Sequence, residues 1–384
     1  MTIATKLHAV LNIKQQLQTA IKAKGVAIDG NTPFSEYPGK ISGISASDPN
    51  NGGFTHVIGL EGTLQIKRFT VPQGVTTIGP GDVPSNIEEL ILPEGVKSLQ
   101  TNALANSPRL KKVVLPSTFK SIPVNTNGVF NNCPLLEDIN LQYLEDIAGN
   151  STFAGTAIKI ADLRNSKSSA IPHSCFLWNK NLHTVLTSLN LTAISISGFA
   201  DCTALENFDF AHIVQIQSNA LKNTAFKSIN LPNATDISNQ AFFDTPKLER
   251  VTFSDRIVYI GQMFNSNNGL KSLIFPANAV GFTSGAVSII VSSANHLKYV
   301  EINSKLTTCH YSMVAVNLPA LEVVKCNAVV PPRAQTSSPP FNVSLPNFKL
   351  YVPDQSVDAY KAASGWINLA RYIAPMSEFV MPSL

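Results

Sequence analysis

Leu205-Glu206-Asn207-Phe208-Asp209-Phe210 is followed by Phe226-Lys227-Ser228-Ile229-Asn230-Leu231, and that in turn by Leu248-Glu249-Arg250-Val251-Thr252-Phe253. Each hexapeptide places an apolar residue, two mostly polar residues, an apolar residue, a variable residue and a last apolar one. The same order recurs at Leu110–Leu115, Leu136–Leu141 and Leu270–Phe275, with weaker copies starting at Ile66, Ile87, Ile158, Leu182, Leu297 and Leu321. Successive starts lie 21 to 27 residues apart, most of them near 23. A fixed period in this range marks a stacked repeat architecture rather than a set of separate globular domains.

The pattern has a direct physical reading. Residues three and five places after the first share one face of a short strand, because side chains alternate along a strand. The first residue enters from the turn before the strand and points the same way. Burial of three such side chains falls several-fold short of the entropy lost in ordering some 23 residues. One coil cannot fold alone, and stacking on its neighbours supplies the missing burial and the strand hydrogen bonds. The expectation is a leucine-rich-repeat solenoid, rich in β-structure, of about 12 coils with short parallel strands. At ~4.8 Å per coil it would be about 50 Å long.

Each unit has a second half, seen in Val129-Phe130-Asn131-Asn132-Cys133, Gly198-Phe199-Ala200-Asp201-Cys202 and Ala241-Phe242-Phe243-Asp244-Thr245-Pro246. Phe130, Phe199 and Phe242 read as inward-facing spacers. Cys133 and Cys202 each lie three residues after their Phe and three before the next Leu, and Cys175 adjoins Phe176. These read as buried structural thiols. Five cysteines, none of them in a CxxC pair, do not suggest a disulfide framework.

These halves resemble the BspA-like leucine-rich-repeat family, through Ala241-Phe242, the Phe130/Cys133 and Phe199/Cys202 pairs and the strand-ending prolines Pro72, Pro93, Pro116, Pro232 and Pro276. The resemblance covers roughly residues 60–375 and speaks to fold more than to function. It extends to Leu350–Lys361 followed by Gly365-Trp366, which looks like that family's terminal cap: a last strand, then a helix over the open end. There Asp354 or Ser356 is expected to cap the helix, and Val357, Tyr360 and Trp366 to cover the last coil. The Pro-rich segment Val329 to Pro346 is expected to loop over the surface.

The front end differs. Ile3, Leu7, Val10, Leu11, Leu17 and Ile21 make a helical apolar stripe, ended by Gly25. Together with Phe34–Ile41, this stretch resembles a short N-terminal module of bacteriophage tail and other virion proteins. Ser45–Gly53 is a flexible linker by composition. The expected organisation is 1–48, a helical docking or oligomerisation module; 54–328, the solenoid; and 329–384, a strand-helix cap. The stripe has two readings, packing on the first coil as a cap or assembling with copies of itself.

Composition narrows the function. Apolar residues make up 44% of the 384, enough for a large core, while charged residues are only 14%. That balance suits a long extracellular-type or virion-type surface better than a cytosolic enzyme. The net charge of +4 is spread without a basic cluster, so no nucleic-acid partner is expected. No apolar run is long enough for a transmembrane helix, so no membrane insertion is expected. Met1–Leu7 lacks the basic and apolar regions of a secretory signal. His173/Cys175 and Cys309-His310 are the nearest approaches to a Cys-His pair, and each reads more simply as a turn beside a buried thiol. Gly79-Pro80-Gly81-Asp82 lacks the Lys-Ser/Thr of a P-loop. Asn-x-Ser/Thr sequons start at Asn150, Asn190, Asn233 and Asn342 and read as ordinary turns. No catalytic residue, metal ligand or cofactor is expected.

The expectation is a non-enzymatic virion protein of tail or fibre type. Residues 1–44 would contact other virion proteins, with a homotrimer as the assembly suggested by analogy. The solenoid would bind a bacterial surface protein or glycan, or decorate the particle. The alternative is a bacterial cell-surface adhesin binding a host or matrix protein, and a polysaccharide-acting enzyme is the last reading. Trp178, Tyr143 and Arg164 are candidate exposed contacts.

Overall fold

The computed structural model describes residues 57–58, 65–282, 291–292, 294–309, 318–334, 339–341 and 346–384, with Ile28 and helical residues 15, 17–19 and 21–22 ahead of them. Leu17 and Ile21, four apart on that helix, are buried within the chain. The rest of the apolar stripe, Gly25 and residues 34–53 lie outside the described residues, as do Asn342 and His310.

From Arg68 onward the chain winds as a solenoid of about 12 turns. The hexapeptide repeats form a front ladder of parallel strands, one per coil. Arg68–Thr70 pairs with Glu89–Ile91, that with Lys112–Val114, and so on to Lys349–Val352 and Ile373–Pro375. The hairpin of Val57–Ile58 and Gln65–Ile66 is antiparallel. The first apolar residue of each unit is buried in every coil from Ile87 to Leu321. A single core runs from Val71 to Ile373.

The coil has two further hydrogen-bonded sides that the repeat pattern did not announce. The second is a ladder of two-residue strands, among them Ala170–Ile171, Ala193–Ile194, Gln215–Ile216 and Asp236–Ile237, each turning its aliphatic residue inward. Its inward residue recurs from Ile78, Leu99 and Ile122 to Ile237 and Ile260 at the period of the hexapeptide, a second signal in the sequence that the hexapeptide reading left unused. The third side carries the Phe half. There Phe130 N donates to Thr152 O (2.8 Å), Phe153 N to Cys175 O (2.9 Å), Phe176 N to Gly198 O (2.9 Å) and Phe199 N to Ala220 O (3.0 Å). Residues four apart flank each of these segments in the left-handed region, such as Asn102/Asn106, Ser197/Asp201 and Asn219/Asn223.

The buried Phe130, Phe153, Phe176 and Phe199 stack with ring centroids 5.4 to 5.6 Å apart. Leu221 takes that place in the next coil, and the stack resumes at Phe242 and Phe264. Three residues after each ring sits a small polar group or thiol. Thr224 and Thr245 donate to the carbonyl three residues back in their own coil. Cys133, Cys202 and Asn267 donate to the carbonyl of the preceding coil instead. Serine, threonine, cysteine and asparagine all appear at this position because each satisfies a buried carbonyl.

Coils approach closely enough that Gly149 is required: a Cβ there would lie 1.9 Å from Thr126 O.

The front ladder is interrupted after Ile139, Phe208 and Phe253. All three are core-facing yet only partly buried, while the coils on either side stay joined just before the strand, by Ala157 N to Leu136 O, Ala225 N to Leu205 O and Lys271 N to Glu249 O.

The C-terminal end follows the expected strand and helix, with differences. Tyr360 and Trp366 are fully buried and close-packed (centroids 4.9 Å apart), and Val357 packs on the core. Neither Asp354 nor Ser356 makes a side-chain cap on helix Val357–Ala362. Ser356 Oγ donates instead to Val329 O (2.6 Å), and the Asp354 carboxylate accepts from Ser377 N (2.9 Å). The Pro-rich segment is only partly a surface loop. Val329 and Val330 are exposed, but Arg333–Ala334 is a strand of the second ladder, Phe341 is fully buried, and Pro332 O accepts from Trp366 Nε1. The cap needed partners for its indole, and the loop supplies them.

Candidate ligand-binding surface

The outward residues of the front ladder form columns, since successive strands are in register within each run of the ladder. The column just before each strand alternates in sign along much of its length. Lys111 pairs with Glu88 (3.0 Å), Lys159 with Glu137 (2.8 Å), Lys271 with Glu249 (3.0 Å) and Lys298 with Glu322 (3.3 Å). The adjacent column adds Arg68–Glu89 and Lys112–Asp138 (both 2.7 Å). The basic pair Lys111-Lys112 is thus split between two acidic partners. Hydrogen bonds from Arg109 and Lys111 hold the Glu88 carboxyl below its ordinary range. Such exposed pairs contribute little stability individually, about 0–1 kcal/mol each, but they fix side-chain positions.

At the C-terminal end the outward face becomes apolar and is covered. Tyr299, Val323, Tyr351 and Ala374 are buried although they point away from the solenoid core. The tail folds back over them. Phe379 meets the Tyr351 ring edge-on (5.4 Å), Lys325 Nζ lies 5.3 Å from the Phe379 centroid, and Lys298 Nζ donates to Ser383 O (2.9 Å). Burial opposes ionisation of Glu301, but hydrogen bonds from Tyr299, Asn327 and Lys325 outweigh it and hold the carboxyl low.

Midway, the break after Phe208 opens a groove of about 280 Å³ lined by Glu206, Phe208, Asp209, Phe210, Phe226 and Asn230. Phe208 packs tilted against Phe210 (4.7 Å), which meets Phe226 edge-on (5.2 Å). Three rings meet here, at positions held by Val185, Leu182, Ile229 and Leu231 in the coils on either side.

The other sequence candidates separate. His173 is exposed while Cys175 is fully buried, and burial pushes that thiol far up. Cys309 is buried and donates toward Pro332 O (3.5 Å). Gly79–Asp82 closes on itself, the Asp82 carboxylate accepting from Gly79 N (2.7 Å). Arg164 is paired with Asp162 by two hydrogen bonds, and Tyr143 is exposed. Trp178 is 57% exposed on the third side and holds a φ of 64°. For a residue with a Cβ that conformation costs roughly 1–2 kcal/mol. The sequence marked Trp178 only as a candidate contact, and its strain is visible only in the fold. Among the described residues no three metal-ligating side chains cluster, and no helix is long and apolar enough to cross a membrane.

Comparison with known proteins bears on the repeat. No curated protein matches the chain. Among solved structures, a leucine rich cell surface protein from Faecalibacterium prausnitzii is 19% identical, with 70% of this chain and 92% of that chain covered and a TM-score of 0.38. A leucine-rich repeat protein from Bacteroides ovatus is 15% identical, with coverages of 84% and 97% and a TM-score of 0.46. The pneumococcal vaccine antigen PcpA is 14% identical, with coverages of 83% and 89% and a TM-score of 0.39. The family model described as BspA type leucine rich repeat region (6 copies) matches residues 60–183, 126–224 and 192–317, over the coils whose strands and Phe halves are described above. The chain belongs to the BspA-type leucine-rich-repeat family.

Proposed function

We propose that this chain is a non-enzymatic binding protein of the bacterial cell-surface adhesin type, recognising a macromolecule along its solenoid. The observation that carries the reading is the set of outward columns between Arg68 and Phe253, in register within each run of the front ladder and ahead of the face that the tail covers. Its chemistry is laid out along a line, with side chains repeating every ~4.8 Å, rather than gathered in a cleft. Extended surfaces of this kind are how solenoids meet large partners. The five thiols, the most nucleophilic side chains in the chain, are all buried. Family membership supports the same reading.

The virion reading of residues 1–48 stands as a separate proposal. It rests on the sequence of that stretch, which lies ahead of the family-matched residues. One experiment addresses both. The full chain is labelled and titrated onto immobilised matrix proteins, cultured host cells and a panel of intact bacteria. Saturable adsorption to matrix or host cells is the expected outcome. Adsorption confined to bacterial cells would replace the adhesin reading with the virion one, and none to any surface would overturn both.

A further inference from the structure

The third side of the solenoid carries a column of outer residues that is interrupted at its middle. The second left-handed position of each coil is Asn106, Asn132, Gly155, Trp178, Asp201, Asn223 and Asp244 in order. Six of these seven are residue types that tolerate the left-handed region, by lacking a Cβ or by short polar side chains. Trp178 does not belong to that set, and its exposure means that burial does not offset its strain. The column is also held by side-chain hydrogen bonds on both flanks. Asn132 Nδ2 donates to Asn106 Oδ1 (2.8 Å), and Asn223 Nδ2 donates to Asp201 Oδ1 (3.0 Å). Only Gly155 and Trp178 stand between these pairs.

Gly155 N donates to Leu177 O (2.7 Å), so its coil lies directly beside that of Trp178. A Cβ at Gly155 would meet only the Asn132 backbone, at 3.6 Å, an ordinary contact. Close packing therefore does not demand glycine there. What glycine does is leave a slot one coil wide, without a side chain, between the coils of Asn132 and Trp178, which stand about 10 Å apart at two strand spacings.

We propose that this slot is a pyranose-binding subsite. This rests on the binding-protein reading above and deepens it. An exposed indole offers a flat apolar face for the C–H face of a sugar ring. The Asn132 amide, its Nδ2 fixed by Asn106, leaves Oδ1 to accept from ring hydroxyls.

The test uses the full chain and a panel of methyl pyranosides (glucoside, galactoside, mannoside and N-acetylglucosaminide), followed by a printed glycan array. The chain has two tryptophans, of which Trp366 is fully buried, so a change in emission on adding sugar that is absent from Trp178→Asn reports on Trp178. Wild type should show saturable quenching with at least one pyranoside. Trp178→Asn restores the residue type of the column, and Gly155→Asn fills the slot with a residue that accepts its φ of 68°. Each should weaken array binding at least about tenfold, and Trp178→Asn should melt at the wild-type temperature or higher. Wild-type-like glycan binding by both variants, or no pyranoside bound by wild type, would overturn the subsite. If wild type binds no pyranoside yet still adsorbs to cells or matrix, the slot fails and the adhesin reading stands. If pyranosides bind through Trp178 without any adsorption, the reverse holds.

Discussion

Cys133 and Cys202 show how a single side chain is chosen by the coil that holds it. Each thiol is fully buried, three residues beyond a ring of the Phe stack, and donates to a carbonyl of the coil before it. Thr224 and Thr245 do the same work within their own coils. Burial pushes the Cys133 thiol up from its ordinary value of 9.0 to about 11 and the Cys309 thiol to about 12. A raised folded-state value means that the unfolded chain releases the proton first. The stabilisation is thus complete below about pH 9 and is lost as pH rises toward 11–12. The thermal midpoint should therefore fall between pH 9 and 11, as scanning calorimetry would show. Natively, a thiol-specific disulfide reagent should leave all five cysteines unmodified within minutes and label all five after denaturation. Rapid native labelling would contradict the burial described here.

The Phe stack is the element that ties successive coils together on the third side. Phe176 sits between Phe153 and Phe199, with near-parallel rings on both faces. Phe176→Ala leaves a cavity spanning three coils and should destabilise by about 3–5 kcal/mol. Phe176→Leu should cost under about 1.5 kcal/mol, because Leu104 and Leu221 already fill this place in other coils. Urea unfolding of both variants separates the two cases, and equal losses would show that stacking geometry rather than volume matters. The front ladder shows the converse. There Phe208, Phe210 and Phe226 meet tilted or edge-on rather than stacked, and they line a groove where the ladder is interrupted.

At the scale of the molecule, a solenoid must end. The N-terminal stripe offered two readings, capping or assembly, and Leu17 and Ile21 are buried within the chain itself. At the other end, Tyr360 and Trp366 close the core, while the tail beyond Pro375 covers an apolar outer face. Deleting residues 376–384 should leave the circular dichroism spectrum nearly unchanged. It should expose Tyr299, Val323 and Tyr351, raising the binding of a hydrophobic dye and causing self-association in sedimentation. An exposed apolar patch of this kind draws partners. An unaltered monomer with no added dye binding would mean that the tail covers nothing of consequence.

The sequence by itself determined the period, the inward face of the front strands, the Phe and Cys positions, and a strand-helix end carrying Tyr360 and Trp366. These are legible because a repeated burial requirement writes itself as repeated apolar spacing. Only the tertiary structure decided the second and third sides of the coil. The sequence marks their inward residues, the Phe positions and the aliphatics from Ile78 to Ile260, but the backbone hydrogen bonds between coils that make them separate sides carry no residue signature. It also decided where Ser356 and Asp354 send their hydrogen bonds, the folding of the tail over Tyr299, and the opening at Phe208. The slot at Trp178 belongs to the same class. Trp178 reads as one more turn residue until the coils are stacked. Then its neighbours in space are Gly155 and Asp201, each a coil away, and its left-handed backbone becomes visible as the exception in its column.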